Sequence, residues 1–218
     1  IRDYTTAIRL DTEFPGHYHN RGDSYLNLEQ YDCAVADYTE AIRRDPVHAS
    51  HINRGIAYAK LGQYERALDD YTQAIRLKPE DVKAHNNRGN TYQRLGEREL
   101  ALEDYTEALR RKPDYSFAYD NLGTMHRERG TYEQAAHYLT KAIGINPNDG
   151  HAYLQRGHAR LQLGKDDLAE ADYTEALRLY PDNPLPHYYR GLLYRKNDQH
   201  QQAVADFTEA MKRYENHE

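Results

Sequence analysis

The 218-residue chain has only one cysteine, Cys33, so no disulfide can form within it. A lone cysteine fits a reducing compartment, and we expect a cytoplasmic protein. No apolar run approaches the ~20 residues that a membrane-spanning helix needs, which argues against membrane insertion. The chain also begins at Ile1, inside a repeating pattern and without an initiator methionine or targeting segment. This is expected of a fragment of a longer protein.

An excess of positive charge is also missing. Lysine and arginine total 29 against 35 aspartate and glutamate residues, which gives a net charge of −6 at pH 7. No basic stripe outweighs this balance, so nucleic acid is not expected as a partner.

Catalytic and metal-binding motifs are absent as well. The sequence has no glycine-rich phosphate loop, no nucleophile elbow and no paired-cysteine metal site. Among the twelve histidines, His151 and His158 should share a helical face, but two histidines do not complete a tetrahedral shell. His51, His85 and His187 occupy one repeat position that holds tyrosine in other copies, and they are interpreted as packing residues. We therefore expect no enzyme activity, no cofactor and no metal.

What the sequence does contain is a repeat. Six glycines lead copies of one pattern, and each is followed twelve residues later by an alanine and seven residues further by a second alanine. The step between copies is 34 residues, except for a first step of 33. A fixed period of this size predicts a stacked array of helix pairs. The glycines are Gly22, Gly55, Gly89, Gly123, Gly157 and Gly191.

Proline and glycine punctuate each copy. A proline follows the second helix of five copies, where it cannot continue the hydrogen-bond ladder. Glycine occupies the turn between the helices, but Glu29 and Asp198 replace it in the first and last full repeats, so we expect those two turns to be the least regular. Full repeats are predicted at 15–47, 48–81, 82–115, 116–149, 150–183 and 184–217, after an unpaired second helix in 1–14.

These residues resemble the tetratricopeptide repeat (TPR). The resemblance covers essentially the whole chain, and the clearest copy shows it at Gly89, Tyr92, Gly96, Ala101, Tyr105, Ala108 and Pro113. It implies an all-α, right-handed α-solenoid of antiparallel helix-turn-helix repeats, about six and a half units in a single array over residues 1–218. It also implies a non-catalytic scaffold for protein–protein interactions, without naming the partner.

Three recurrences predict contacts within the repeats. The leading glycine and the alanine twelve residues later should lie opposite each other and let the two helices approach. Arginine precedes the glycine in five of six full repeats, with aspartate sixteen residues later, which predicts an ion pair between the two helices. The remaining copy has Leu122 and Tyr138 instead, which predicts an apolar contact. A threonine follows the core aromatic position in every copy, which predicts a bond to a carbonyl one turn earlier, although common ancestry explains it equally well.

In the TPR family, first helices line a concave groove in which partners lie. By register, the residue two before each leading glycine should face that groove, and it is an amide in five copies. An amide both donates and accepts, so such a ladder could bind the backbone of an extended peptide. The alternative is an ordinary polar helix face. The ladder is Asn20, Asn53, Asn87, Asn121 and Gln155.

Neighbouring groove positions change character along the chain. The middle is polar or charged, and basic residues outnumber acidic ones there: Lys83, Asn86, Asn90, Arg94, Asp120 and Arg127. The C-terminal end is apolar and aromatic: Leu154, Leu161, Leu185, Tyr188, Tyr189 and Leu192. This favours a partner polypeptide with acidic residues beside bulky apolar ones. The terminal-carboxylate clamp of some TPR domains is not expected, because no copy supplies its lysine. Two alternatives remain: weak self-association through the ends of the array, or a substrate-recruiting segment of a larger enzyme.

Overall fold

The protein is described by a computed structural model over residues 1–215, and these residues form thirteen α-helices and no strand. The predicted all-α, α-solenoid class is thereby confirmed. Residues 216–218, which include the end of the last predicted repeat, lie outside the described part. Among the described helices, none combines the length and the hydropathy that a membrane-spanning segment requires. The helices are α1 Arg2–Leu10, α2 Pro15–Asn27, α3 Tyr31–Arg44, α4 His48–Lys60, α5 Tyr64–Leu77, α6 Val82–Leu95, α7 Arg98–Arg111, α8 Ser116–Glu128, α9 Tyr132–Ile145, α10 Gly150–Gln162, α11 Asp166–Leu179, α12 Pro184–Lys196 and α13 His200–Glu215.

The chain forms two compact units. Unit 1 extends from Ile1 to Pro113, and unit 2 begins at Asp114. Unit 1 holds α1 and the helix pairs α2/α3, α4/α5 and α6/α7, and unit 2 holds the pairs α8/α9, α10/α11 and α12/α13. Within a unit, the second helix of one pair packs against the first helix of the next, and successive first helices also touch. The second helices α3, α5, α7, α9 and α11 each end two residues before a proline, as the sequence predicts.

The turn inside each pair has the same backbone everywhere. Glu29 and Asp198 have φ values of 57° and 58°, close to the values of 70–82° at the four turn glycines. The six turns also share one hydrogen bond across the corner, such as Gln30 N to Tyr25 O at 2.9 Å and Gln199 N to Tyr194 O at 2.9 Å. The prediction that these two turns are the least regular is therefore wrong. Packing of the two helices imposes the left-handed conformation even on residues that disfavour it.

The leading glycines are required by a side chain rather than by the alanine twelve residues later. A Cβ at Gly55 would lie 2.7 Å from the ring of Tyr71, and one at Gly123 would lie 2.4 Å from Leu139. The same relation, to the residue sixteen later, holds for all six glycines, and Ala101 O is the only alanine atom among the near neighbours. The glycine thus lets a large core side chain fill the space between the helices. The predicted approach of glycine and alanine is seen at Gly89, and it stays a prediction in the other repeats.

The predicted ion pairs are confirmed. In each, the arginine Nε and Nη2 atoms donate to the two oxygens of the aspartate; for Arg54 and Asp70 the distances are 2.8 and 2.7 Å. The aspartates are buried, so these are internal pairs. The pairs are Arg21–Asp37, Arg54–Asp70, Arg88–Asp104, Arg156–Asp172 and Arg190–Asp206.

Two further groups join this network. The Nδ1 atoms of His51 and His187 lie 2.8 Å from the same aspartates, and that of His85 lies 3.3 Å away, so these histidines are polar partners as well as packing residues. The remaining arginine nitrogen, Nη1, donates to a threonine of the preceding second helix. Each arginine therefore ties its own pair to the one before it. These donors and acceptors are Arg21 and Thr5, Arg54 and Thr39, Arg88 and Thr72, Arg156 and Thr140, and Arg190 and Thr174.

The threonine prediction is confirmed at four positions: Thr5, Thr39, Thr140 and Thr208 donate to the carbonyl four residues earlier. In the α8/α9 pair, Leu122 is fully buried. Tyr138 stacks on Tyr119 and His126, with ring centroids 6.3 and 5.2 Å apart. Aromatic packing thus replaces the ion pair there, while a direct Leu122–Tyr138 contact stays a prediction.

Candidate peptide-binding surfaces

Each unit presents a row of first helices in contact with one another. In unit 1, α2 touches α4 and α4 touches α6; in unit 2, α8 touches α10 and α10 touches α12. We call the polar positions of α2, α4 and α6 the unit 1 surface, and the corresponding positions of α8, α10 and α12 the unit 2 surface. All thirteen predicted site residues lie on these six helices.

The amides of unit 1 differ in availability. Asn20 is exposed on α2, and Asn87 is half-buried on α6. Neither side chain makes a hydrogen bond within the described residues. Asn53 on α4 instead donates through Nδ2 to Asp23 Oδ1 at 2.9 Å. In unit 1 the ladder therefore contains two amides without a hydrogen-bond partner among the described residues and one that links α4 to α2.

Hydroxyl groups of the core tyrosines reach the same surface. Tyr38 donates to Asp23 Oδ1 at 2.6 Å, and Tyr105 donates to Asn90 Oδ1 at 2.7 Å. Burial and the contact with Asp23 raise the pKa of Tyr38, because ionising the phenol would place two negative charges together. Asn90, a predicted site residue, thus uses its carbonyl oxygen internally. Asp23 was not predicted, although it stands one residue after a leading glycine, as Asn90 does.

The two basic residues that were predicted for the unit 1 surface, Lys83 and Arg94, form no ion pair among the described residues. Both side chains are exposed, at the two ends of α6. On the second helices, by contrast, Glu40 binds both Arg43 and Arg44, and Glu107 binds both Arg110 and Arg111. Lys83 and Arg94 therefore differ from the arginines of the second helices in having no acidic partner among the described residues.

In unit 2, the side-chain amide of Gln155 on α10 contacts a histidine of the same helix. Gln155 Nε2 lies 3.0 Å from His151 Nε2, and His151 Nδ1 lies 2.9 Å from Asp120 Oδ2. The Asp120 carboxylate raises the pKa of His151. Gln155 and His151 are on α10 and Asp120 is on α8, so this triad joins two first helices. Asn121, also predicted, is half-buried on α8.

The predicted apolar end lies on α12. Leu185 and Tyr188 are 38% and 42% exposed, and Tyr189 and Leu192 are half-buried. The ring of Tyr188 lies 5.5 Å from that of Tyr189 and 6.0 Å from that of Phe207. Tyr189 in turn stacks on the core ring of Tyr173 at 6.2 Å and lies 5.1 Å from His158. These residues form an aromatic patch that is continuous with the core.

Unit 2 also contains three enclosed polar atoms without a hydrogen-bond partner among the described residues: Thr124 Oγ1, Arg127 Nε and Tyr173 OH. Thr124 occupies the position of Asp23 and Asn90, but the core residue of its pair is Leu139, which has no hydroxyl to offer. Beside Tyr173, that position holds His158, whose ring lies against Tyr189 instead. Burial and the charge of Arg127 lower the pKa of His158.

Other chemistry-bearing features are few. No group of three or more histidine, cysteine, aspartate or glutamate side chains in the described residues could hold a metal ion. A cavity of about 290 Å³ lies in unit 1, beside the start of α2, and is lined by Phe14, Pro15, Gly16, His19, Asp45, Val47, Ala49 and Ser50. His19 Nδ1 and Ser50 Oγ lie 2.8 Å apart at its edge, so the polar groups there already satisfy each other.

Comparison with known sequences decides the family. Tetratricopeptide repeat models match residues 18–48, 82–115, 118–149 and 187–217, and a further TPR model matches 55–96 and 157–198. The chain belongs to the tetratricopeptide repeat family. No curated protein sequence matches it.

Solved TPR structures share the fold. A chain of the APC/C hetero-tetramer Cut9–Hcn1 is 18% identical with a TM-score of 0.87; the match covers 98% of this TPR chain but only 42% of that one. A TPR protein from Parabacteroides merdae is 22% identical with a TM-score of 0.75, covering 97% and 84% of the two chains. YrrB, described as a TPR protein with an unusual peptide-binding site, is 24% identical with a TM-score of 0.63, covering 83% and 93%.

Proposed function

We propose that this TPR protein is a non-catalytic scaffold that binds an extended segment of a partner polypeptide along the first helices of its repeats. Membership of the TPR family supports protein interaction as the general role. YrrB, which shares the fold, is a precedent for peptide binding. The partner is a polypeptide rather than nucleic acid, because the chain carries a net charge of −6.

The observation that carries the proposal is the unsatisfied polar face of unit 1. Asn20 and Asn87 hold equivalent positions on α2 and α6, and both keep their amides free. A side-chain amide can donate to a peptide carbonyl and accept from a peptide N–H at once, so it binds a backbone whatever its sequence. Lys83 and Arg94 flank Asn87 on α6 without acidic partners, which favours acidic residues in the bound segment.

Asn53 has a different role in this proposal. Because its Nδ2 already donates to Asp23, replacing it removes a bond between α4 and α2 before it removes one to a ligand. Asn87→Ala should therefore weaken binding alone, whereas Asn53→Ala should lower stability as well.

A direct test is to select peptides from a random display library on the full chain and measure their affinities by calorimetry. Asn87→Ala should weaken binding roughly two- to tenfold, the usual value of one hydrogen bond. Lys83→Ala and Arg94→Ala should weaken acidic peptides further and leave neutral ones unchanged. The matched control is Arg76→Ala, which removes an exposed arginine from the second helix α5. Equal affinities for Asn87→Ala, Arg76→Ala and wild type would overturn the proposed surface.

A second candidate function is self-association through α13, because this helix exposes apolar side chains. Val204, Met211 and Tyr214 are 65%, 62% and 51% exposed, which is unusual for three large apolar residues on one helix. Sedimentation of wild type and a Val204→Lys, Met211→Lys variant over a range of concentrations tests this. A concentration-dependent mass in wild type only would support it, and a constant monomer mass would refute it.

A further inference from the structure

Gln155 differs from the other amides of the ladder because its partner is an imidazole. Its Nε2 atom lies 3.0 Å from Nε2 of His151, which stands four residues earlier on the same face of α10. No other copy has a histidine at that position. The residues found there, four before the ladder amide, are Gly16, Ala49, Lys83 and Phe117. The pairing of an amide with a titratable ring is therefore specific to α10.

The second ring nitrogen of His151 fixes where its protons lie. Nδ1 is 2.9 Å and 3.2 Å from the two carboxylate oxygens of Asp120 on α8. A carboxylate only accepts hydrogen bonds, so Nδ1 carries a proton whether the ring is neutral or charged. In the neutral ring Nε2 is then an acceptor, and the NH2 group of Gln155 supplies the donor that it needs. The structure therefore has the hydrogen-bond pattern of a neutral His151.

Protonation of His151 is incompatible with this pattern. The charged imidazole has an N–H on both nitrogens, so its Nε2 would face the N–H donors of Gln155. The oxygen of the same amide, Oε1, has no hydrogen-bond partner among the described residues. A half-turn about the last side-chain torsion of glutamine, which is broad and roughly two-fold, exchanges Oε1 with Nε2 and restores the bond. The reversal therefore needs no movement of the backbone.

The charges that act on His151 come from α8 and from the start of α10. The hydrogen bond with Asp120 raises the pKa of His151 and Asp149, the N-cap of α10, acts in the same direction, whereas burial and Arg127 of α8 oppose them. The ring thus gains its proton at a higher pH than an ordinary histidine does. The other helices that contact α10 carry charged groups with partners of their own: Lys141 of α9 lies over Tyr119, Asp172 of α11 binds Arg156, and Arg190 of α12 binds Asp206.

We propose that protonation of His151 reverses the side-chain amide of Gln155 and thereby makes peptide recognition by unit 2 dependent on pH. In the neutral state, the amide oxygen points away from the ring and can accept from a backbone N–H of the bound segment. In the protonated state, the oxygen binds His151, and the NH2 group points away and can donate to a backbone carbonyl. The effect on a ligand rests on the proposed function, whereas the reversal occurs in the free protein.

The reversal is tested by NMR on the full chain, labelled with ¹⁵N and free of ligand. An N–H···N hydrogen bond produces a scalar coupling between its two nitrogens. The Nε2 atoms of Gln155 and His151 should therefore be coupled above the titration midpoint of His151 and uncoupled below it. The NH2 signals of Gln155 should also shift with the same midpoint as the ring. Coupling that is absent above the midpoint or persists below it would overturn the inference.

Variants test whether His151 causes the change. His151→Phe introduces the residue that the preceding repeat has at this position, and it should leave the NH2 signals of Gln155 independent of pH. Asp120→Asn removes the carboxylate, so the midpoints of His151 and Gln155 should move to lower pH together. The control is His200→Gln, an exposed histidine of α13, which should leave both midpoints unchanged. A response of Gln155 that persists in His151→Phe would contradict the proposal.

The effect on recognition is measured with peptides selected on the full chain above the midpoint of His151. Their affinity should fall roughly two- to tenfold below the midpoint, the value of one hydrogen bond, and the fall should be absent in His151→Phe. If the amide reverses while affinity stays constant, peptide binding stands and its control by His151 is wrong. If no peptide is selected, the proposed function is wrong, and the spectra of the free protein still decide the reversal.

Discussion

The two units are built from the same repeat, but they satisfy their internal polar groups differently. In unit 1, the core hydroxyls of Tyr38 and Tyr105 have side-chain partners one helix away. In unit 2, the equivalent residues are Leu139, Tyr173 and Phe207, and only Tyr173 has a hydroxyl, which is unpartnered among the described residues. The volume of the core residue is therefore what the repeat requires. The hydrogen bonds that this residue makes differ from repeat to repeat, and they distinguish the two units.

The largest expected effect concerns the ion-pair network, which unit 2 omits in its α8/α9 pair. Asp70→Ala leaves the half-buried Arg54 and the buried His51 without their acceptor, so it should lower the free energy of unfolding by about 3–5 kcal/mol. Denaturant unfolding of the full chain measures this.

A matched variant replaces the ion pair of the α4/α5 pair in unit 1 by the aromatic packing of the α8/α9 pair in unit 2. His51→Tyr, Arg54→Leu and Asp70→Tyr together reproduce Tyr119, Leu122 and Tyr138, whose packing needs no charge. The triple variant should retain most of the stability that Asp70→Ala loses. A triple variant as unstable as the single one would mean that the two solutions are not interchangeable.

The core hydroxyls give effects of opposite sign in the two units. Tyr38→Phe removes a bond to Asp23 and should destabilise the protein by about 1 kcal/mol, whereas Tyr173→Phe removes an unpartnered buried hydroxyl and should stabilise it by about 1 kcal/mol. The measurement is the denaturant midpoint of each variant. Destabilisation by Tyr173→Phe would show that its hydroxyl is satisfied in solution, and the contrast between units would disappear at this position.

The turns inside the helix pairs provide a control for the comparison of the two units, because substitutions there should change stability equally in both. Glu29→Gly in unit 1 and Asp198→Gly in unit 2 both relieve a non-glycine residue at positive φ, and each should raise the free energy of unfolding by about 1 kcal/mol. Gly96→Ala should lower it by a similar amount, since it imposes the same strain. Thermal melts of the three variants suffice. Unequal gains from the two glycine substitutions would mean that packing of the flanking helices compensates the strain in one unit.

The smallest effect is a difference in pH response. In unit 1 the Asn53 amide, which does not titrate near neutral pH, joins α4 to α2 together with the His19–Ser50 contact, and in unit 2 His151 and Asp120 join α10 to α8 through a histidine–carboxylate pair. Because the pKa of His151 is raised in the folded state, its contribution is present below about pH 6.5 and is lost as the pH rises through the folded pKa. The pair is partly exposed, so it should contribute only about 0–1 kcal/mol.

NMR titration of the His151 imidazole measures this shift directly, and His151→Gln should remove the corresponding slope in stability against pH. A His151 pKa at or below the ordinary value would contradict the link. The control is Asn53→Ala, whose loss of stability should not vary over the same pH range.

The sequence alone predicts a contact between two repeat positions when both residues change together in the same repeat. The Arg–Asp pairing could be predicted because Leu122 and Tyr138 replace both partners in the same copy. The helices and their ends also follow from sequence, because glycine and proline act locally. Register alone predicted that the glycine and the alanine lie opposite each other, but not that the side chain sixteen residues later makes the closest approach to the glycine.

The candidate surfaces were only partly predictable for a related reason. A repeat position predicts that Asn53 and Asn87 face the same way, but not that Asp23 takes the amide of one and leaves the other free. Likewise, the sequence contains Asp120, His151 and Gln155 without indicating that they form a triad. Hydrogen-bond partners are chosen among several neighbours within reach, and that choice depends on geometry that spacing does not contain.

The arginine of each ion pair contacts two other helices, and this arrangement also affects how the chain folds. Arg21 bonds Thr5, sixteen residues behind it, and Asp37, sixteen residues ahead, and the other four arginines repeat this reach to within one residue. The network therefore closes only short loops, which keeps contact order low and favours fast folding. As the nascent chain is synthesised, each arginine meets a threonine that is already present and then needs one more helix to complete its contacts. A unit can thus grow pair by pair from its first helix onward, each new pair adding to the one already folded.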